Sequence, residues 1–171
     1  MSPTQPDSDR LDRFLLPQAA VRGVRVHLGD TWAQIRARVD ELPQQAAILL
    51  GEAAAASALF TAHVKVAGRL SIHLRSDGAL RTLFAECTAK GTLRGIVRLA
   101  EGTDSVPADL RQAGKGATLA ITIENPAHGQ REPVRYQGLV EMASESLSGA
   151  FEDYFLRSEQ LPTRILLAAD D

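Results

Sequence analysis

Cysteine is almost absent: Cys87 is the single one in 171 residues. No internal disulfide can form, and the chain cannot assemble a cysteine-rich zinc site. Such usage fits a reducing compartment. Aromatic residues are few, at 5%, so core volume must come mostly from Leu, Ile, Val and Ala. Neither charge sign dominates, since 19 Lys and Arg oppose 21 Asp and Glu for a formal net charge of -2. This balance excludes the strongly basic chain expected of a general nucleic-acid binder. Arg22, Arg25, Arg69, Arg75, Arg81, Arg94 and Arg98 recur within expected strands. They read as the solvated side of half-buried sheet, with a local basic groove as the alternative.

Long unbroken apolar runs are missing too. The most apolar window, residues 46–66, is interrupted by Glu52, His63 and Lys65, which argues against a membrane span. Residues 1–12 are polar, with Pro3, Pro6, Asp7 and Asp9, and lack the basic-then-apolar pattern of a secretory signal. A cytoplasmic location is expected. There is no fixed-period repeat and no domain linker, and the length suits one domain burying roughly 70% of its unfolded surface.

Catalytic patterns are equally sparse. No G-x-S-x-G elbow occurs, Lys115 lacks the glycines of a phosphate loop, and Gly91–Gly95 is too short for a dinucleotide fingerprint. His27, His63, His73 and His128 have no partner at metal-ligand spacing. Cys87 reads as a small, half-buried hydrophobe. Glu152 and Asp153 are adjacent, so on a helix they point about 100° apart and read as solvated acids, not an acid–base pair. Neither a catalytic nor a metal residue is assigned, and no small-molecule substrate is expected.

What is present is patterning. Residues 1–10 read as a flexible leader. Val24, Val26 and Leu28 alternate as a strand starting near Ala20, with Gly23 marking a bulge or a close approach. Asp30 and Thr31 offer capping groups to a helix over residues 32–42. Pro43 opens a second helix, whose buried face runs through Ala46, Leu49, Leu50, Ala53, Ala56, Phe60 and Val64. Strands follow at 70–74, at 80–87 (where a short helix fits as well), at 93–99, 119–123 and 134–139, with a turn at Asp77-Gly78. His128-Gly129 helps to end the fourth of these. One helical turn is expected at 107–111. A late helix lies within residues 146–160 and aligns Leu147, Ala150, Phe151, Tyr154 and Phe155 on one face. Pro162 limits it, and residues 164–167 resume as a short strand. The expected class is α+β (mixed α/β), a single domain over residues 11–171 with mixed sheets packed by helices.

The segment Glu152-Asp153-Tyr154-Phe155-Leu156-Arg157-Ser158-Glu159-Gln160-Leu161-Pro162-Thr163 resembles the helix-to-strand signature of the redox-regulated heat-shock chaperones of about thirty-three kilodaltons. Phe14 with Ala20-Val21-Arg22-Gly23, the helix through residues 46–65, Ser76-Asp77-Gly78 and Arg94-Gly95-Ile96-Val97 resemble the same family in the same order. The resemblance implies a chaperone core fold and an ATP-independent holdase that binds unfolding proteins under oxidative or heat stress without catalysing a reaction. It also implies a homodimer. The family's linker and four-cysteine zinc module do not occur before Asp171, so zinc is expected only in that module and no cofactor in this chain. Phe151, Tyr154 and Phe155 are candidates for client contact, though single-face spacing favours core packing. Glu152, Tyr154, Phe155, Ser158, Glu159, Gln160, Pro162 and Thr163 are expected to be structural. A dimerisation domain that needs the missing module, or a small hydrolase or thiol enzyme, are the competing functions.

Overall fold

The alternation that begins at Leu70 builds one five-stranded sheet. The computed structural model describes residues 8–64, 66–127 and 132–170. In chain order the elements are β1 (Arg10–Leu16), β2 (Val21–His27), α1 (Asp30–Arg36), α2 (Gln44–His63), β3 (Arg69–Arg75), β4 (Leu80–Thr88), β5 (Leu93–Leu99), β6 (Thr118–Asn125), β7 (Val134–Glu141) and α3 (Leu147–Ser158). β1 and β2 form a hairpin, and the large sheet has the order β5-β4-β3-β6-β7. The class is α+β. Each ladder in both sheets is antiparallel, where mixed pairing was expected.

Helix α2 is the centre of the core. Ala46, Leu49, Leu50, Ala53, Ala56 and Phe60 are buried as expected, but so are Ala47, Ala54, Ser57 and Ala58. A helix apolar around most of its circumference must be covered on most sides. The sheet covers one side; the hairpin and α3 approach others. By length and composition α2 is apolar enough to cross a membrane, yet 61% of its apolar window is buried inside the fold. Leu70, Ile72, Leu74, Leu83, Ala85, Leu119 and Ile121, from the inner face of the sheet, share one core cluster with it.

Several expectations need correction. Arg10, expected to end a flexible leader, opens β1, which pairs along its length with β2, and residues 1–7 of that expected leader lie outside the described residues. That register is regular, so Gly23 marks a close approach: a Cβ there would fall 2.1 Å from Cζ of Phe14, which lies across it. Helix α1 ends at Arg36. Its capping side chain comes from Asp9, whose carboxylate accepts from the Thr31 N–H at 3.0 Å and bonds its hydroxyl. Pro43 is the residue before α2, not its first turn. The helical turn expected at 107–111 is a 3-10 turn at Leu110–Gln112, capped by Asp109. Residues 80–87 do form a strand. The His128-Gly129 break lies outside the described residues.

Residues 164–167 do not join a sheet. Ile165 turns inward while Leu166 stays 95% exposed, which is the alternation that reads as a strand. The segment runs over helices instead. Ala169 packs where Gly51 of α2 leaves room, and the Asp170 carbonyl accepts from Trp32 Nε1 at 3.0 Å.

Candidate functional site

Both long helices lie on one side of the large sheet: Leu50 of α2 fills the space over Gly95, and Tyr154 of α3 the space over Gly138. Among the described residues, no helix lies on the other side. The ladder register places Ile96, Phe84, His73, Ala120 and Leu139 in one row across all five strands of that open face. At about 4.8 Å per strand, the row is about 19 Å long. Ile96 is 43% and Leu139 65% exposed. His73 meets Phe84 edge-to-face, with ring centroids 5.6 Å apart. Desolvation, then the nearby Arg75, holds the His73 pKa below its ordinary value.

Charged rows flank this strip. On one side, Glu86 is buried and receives Arg94 Nε at 2.9 Å and Arg69 at 3.7 Å. Arg69 also pairs with Glu124, which lies 3.7 Å from Arg135. The ladder Arg94–Glu86–Arg69–Glu124–Arg135 therefore neutralises much of its own charge. Beyond the apolar strip, the register aligns Arg98, Thr82, Arg75, Thr118 and Glu141. The sequence pattern singles out Arg69, Arg75, Arg94 and Arg98 but not Arg135, and not their assembly. Phe84, Ile96 and Leu139 are apolar at positions where a solvated strand face takes polar residues, a signal that only the strand register assembles.

Phe151, Tyr154 and Phe155 sit on the opposite side. They are buried, at 0%, 4% and 6% exposure. Phe60 meets Phe151 and Phe155 edge-on at 4.9 and 5.1 Å, the arrangement preferred by ring quadrupoles. Tyr154 donates to Glu159 Oε1 at 2.9 Å, and Tyr136 of β7 donates to the same oxygen at 3.2 Å. Burial first, then these hydrogen bonds, push the Tyr154 phenol far above its ordinary pKa. Beyond Ser158, Gln160 adopts a left-handed backbone with φ 52°, and the Leu161 N–H reaches back to the Phe155 carbonyl at 2.9 Å. Pro162 follows, and Thr163 bonds the Leu161 carbonyl at 2.9 Å.

Glu152 and Asp153 are not simply solvated. Asp153 accepts from Ser144 Oγ at 2.9 Å. Glu152 accepts from the Ile165 N–H at 2.8 Å and pairs with Arg164 at 2.9 Å, fixing the segment that crosses α2. Glu152→Ala removes the acceptor of a buried residue's amide and is expected to cost about 1–3 kcal/mol. Glu152→Gln should recover most of that, since the Arg164 pair is exposed and worth at most about 1 kcal/mol. Chemical denaturation, with hydrogen exchange at the Ile165 amide, checks the order of the two.

Cys87 faces α2 and is buried. Desolvation pushes its thiol pKa up, away from the thiolate a nucleophile requires. His63 lies edge-on to Phe155, at 6.1 Å, and His73 on the open face; His128 is outside the described residues. Among the described residues, no three His, Cys, Asp or Glu converge as metal ligands.

The family model described as Hsp33 protein matches residues 9–171. A "33 kDa chaperonin" of Pseudomonas putida strain F1 is 39% identical over 164 residues, covering 96% of this chain and 53% of its own length. A namesake from Hahella chejuensis is 42% identical over 161 residues, with 94% and 54% coverage. The chain thus spans about half the length of these curated relatives. The crystal structure of the 33 kDa chaperonin (heat shock protein 33 homolog) from Thermotoga maritima superimposes with a TM-score of 0.64 at 21% identity, over 90% of this chain and 52% of that one. That likeness supports the fold; the sequence matches go further, and the chain belongs to the Hsp33 family.

Proposed function

We propose that this chain is the core of an ATP-independent holdase, which binds unfolding proteins and limits their aggregation without catalysing a reaction. The observation that carries this is the open sheet face, where no helix among the described residues covers the row that carries Ile96, Phe84 and Leu139. Exposed contiguous apolar surface marks an interaction site more often than scattered exposed residues do. Relatives of the same family bear the name chaperonin. Clients are assigned to this face, because Phe151, Tyr154 and Phe155 become accessible only if α3 lifts from the core. The cytoplasm is the proposed location. Zinc is assigned to a cysteine module other than these residues, since one buried cysteine does not fit a cysteine-rich site.

Light scattering from a thermally unfolding client tests the reading. Suppressed aggregation at several-fold excess of the chain is expected, and unchanged scattering would count against it. A second reading, a dimerisation domain that is inactive alone, is favoured by the hairpin, where Phe14 is 48%, Leu16 50% and Val21 45% exposed. Sedimentation beside the same assay separates the two: a stable dimer that leaves scattering unchanged supports the second.

A further inference from the structure

The open face has an electrostatic asymmetry that an apolar surface alone does not require. Its arginines are Arg69, Arg75, Arg94, Arg98 and Arg135, against Glu86, Glu124 and Glu141. The face is thus basic on a chain whose formal net charge is -2. The excess is also localised. Arg69, Arg94 and Arg135 are engaged by carboxylates. Arg75 and Arg98 have no ion-pair partner among the described residues, and they lie in one row, two strands apart across Thr82. About 10 Å separates two such positions. Both side chains border the apolar strip at the β5–β3 end, while Glu141 ends the same row at β7.

We propose that this face selects extended polypeptide segments whose apolar residues are flanked by acidic ones, with Arg75 and Arg98 as the specificity-determining residues. The proposal rests on the holdase reading and names its substrate class. An extended segment of about six residues matches the strip, at about 3.3 Å per residue. Its apolar side chains cover Ile96, Phe84 and Leu139, and its carboxylates meet the two free guanidinium groups. Arg94 is already committed, to Glu86 and to the Phe84 ring, whose centroid lies 5.5 Å from its Cζ. A polyphosphate fits less well, because Glu124 and Glu141 share the face. Charge complementarity of this kind contributes chiefly to selection and encounter rate, and is weakened by salt.

The test uses the full chain and three fluorescent peptides with one common apolar centre and acidic, neutral or basic flanks. Anisotropy titrations at low salt should give roughly tenfold tighter binding of the acidic than of the basic peptide. The ratio should fall to about one in the Arg75→Ala/Arg98→Ala double variant and invert in Arg75→Glu/Arg98→Glu. Arg157→Ala removes a charge on the α3 side and should leave the ratio intact. Thermal melting checks that the exposed substitutions preserve the fold. If the neutral peptide binds but flank charge makes no difference, or the preference survives in the double variant, the selectivity is wrong while the holdase reading stands. If no peptide binds and client scattering is unchanged, both fall.

Discussion

Truncating Phe151 to alanine is expected to lower the unfolding free energy by about 3–5 kcal/mol, the range for deleting a fully buried phenylalanine. Phe151 has no solvent exposure, and its ring is the edge-on partner of Phe60 at the crossing of α2 and α3. The loss combines the transfer term of a benzyl group with a cavity that surrounding rings fill only in part. Phe155, against the same Phe60 ring, loses the third member of its cluster. Domains of this size are stable by about 5–15 kcal/mol, so the variant should lie close to its unfolding midpoint at modest urea. Leu156→Ala, one residue from Phe155 but 54% exposed, should stay within about 0.5 kcal/mol of the parent. Urea denaturation with linear extrapolation measures both. The pair also separates packing from client contact: a Phe151→Ala protein of parental stability that no longer suppresses aggregation would return the late helix to the client surface.

The late helix was legible because its five apolar residues repeat at helical spacing, and the structure puts each of them in the core. The sheet was legible for the same reason, at a period of two. What the sequence concealed depended on long-range pairing. β1 reads Arg-Leu-Asp-Arg-Phe-Leu-Leu, without clean alternation, and is a strand because β2 lies beside it. Residues 164–167 do alternate, but their inward side chains meet helices, and Glu152 takes the amide a neighbouring strand would have taken. The cap of α1 came from Asp9, 22 residues before its partner Thr31, beyond the reach of any local pattern.

The open face shows the same limit more sharply. Half-buried Phe84 and exposed Ile96 and Leu139 are unremarkable one strand at a time, since isolated accessible apolar residues are ordinary on protein surfaces. Only the antiparallel register brings them into one row. The same register turns scattered arginines into an internally paired ladder on one side of that row and, on the other, two groups with no ion-pair partner among the described residues. Alternate charged residues were readable as a solvated face; their segregation was not, because it depends on which strand pairs with which.

Gly68→Ala should be nearly as damaging as the loss of Phe151, at about 3 kcal/mol, the upper part of the usual overpacking range. The cause is not backbone conformation, because Gly68 is not among the described residues with positive φ. An added Cβ would fall 2.0 Å from the Glu124 carbonyl oxygen and 3.0 Å from Cδ of Pro126. A side chain can rotate away from such a contact, but a strand carbonyl cannot. Neither can Gly68 retreat easily: its N–H and that of Ala67 donate to Asn125 Oδ1 at 3.2 and 2.9 Å, and its carbonyl accepts from Ala89 at 2.8 Å. The entry to β3 is therefore tied to β6 on one side and to the end of β4 on the other. Gly91→Ala supplies the contrast. Gly91 has φ +82° with open space around it, so alanine there meets left-handed strain alone, about 1–2 kcal/mol. Denaturation midpoints should rank Gly68→Ala below Gly91→Ala, the reverse of what positive φ alone would predict. An inverted ranking would mean that the strands separate readily at this corner. They should not, because the carbonyl concerned belongs to Glu124, the residue that holds Arg69 and Arg135 in the charge ladder of the open face.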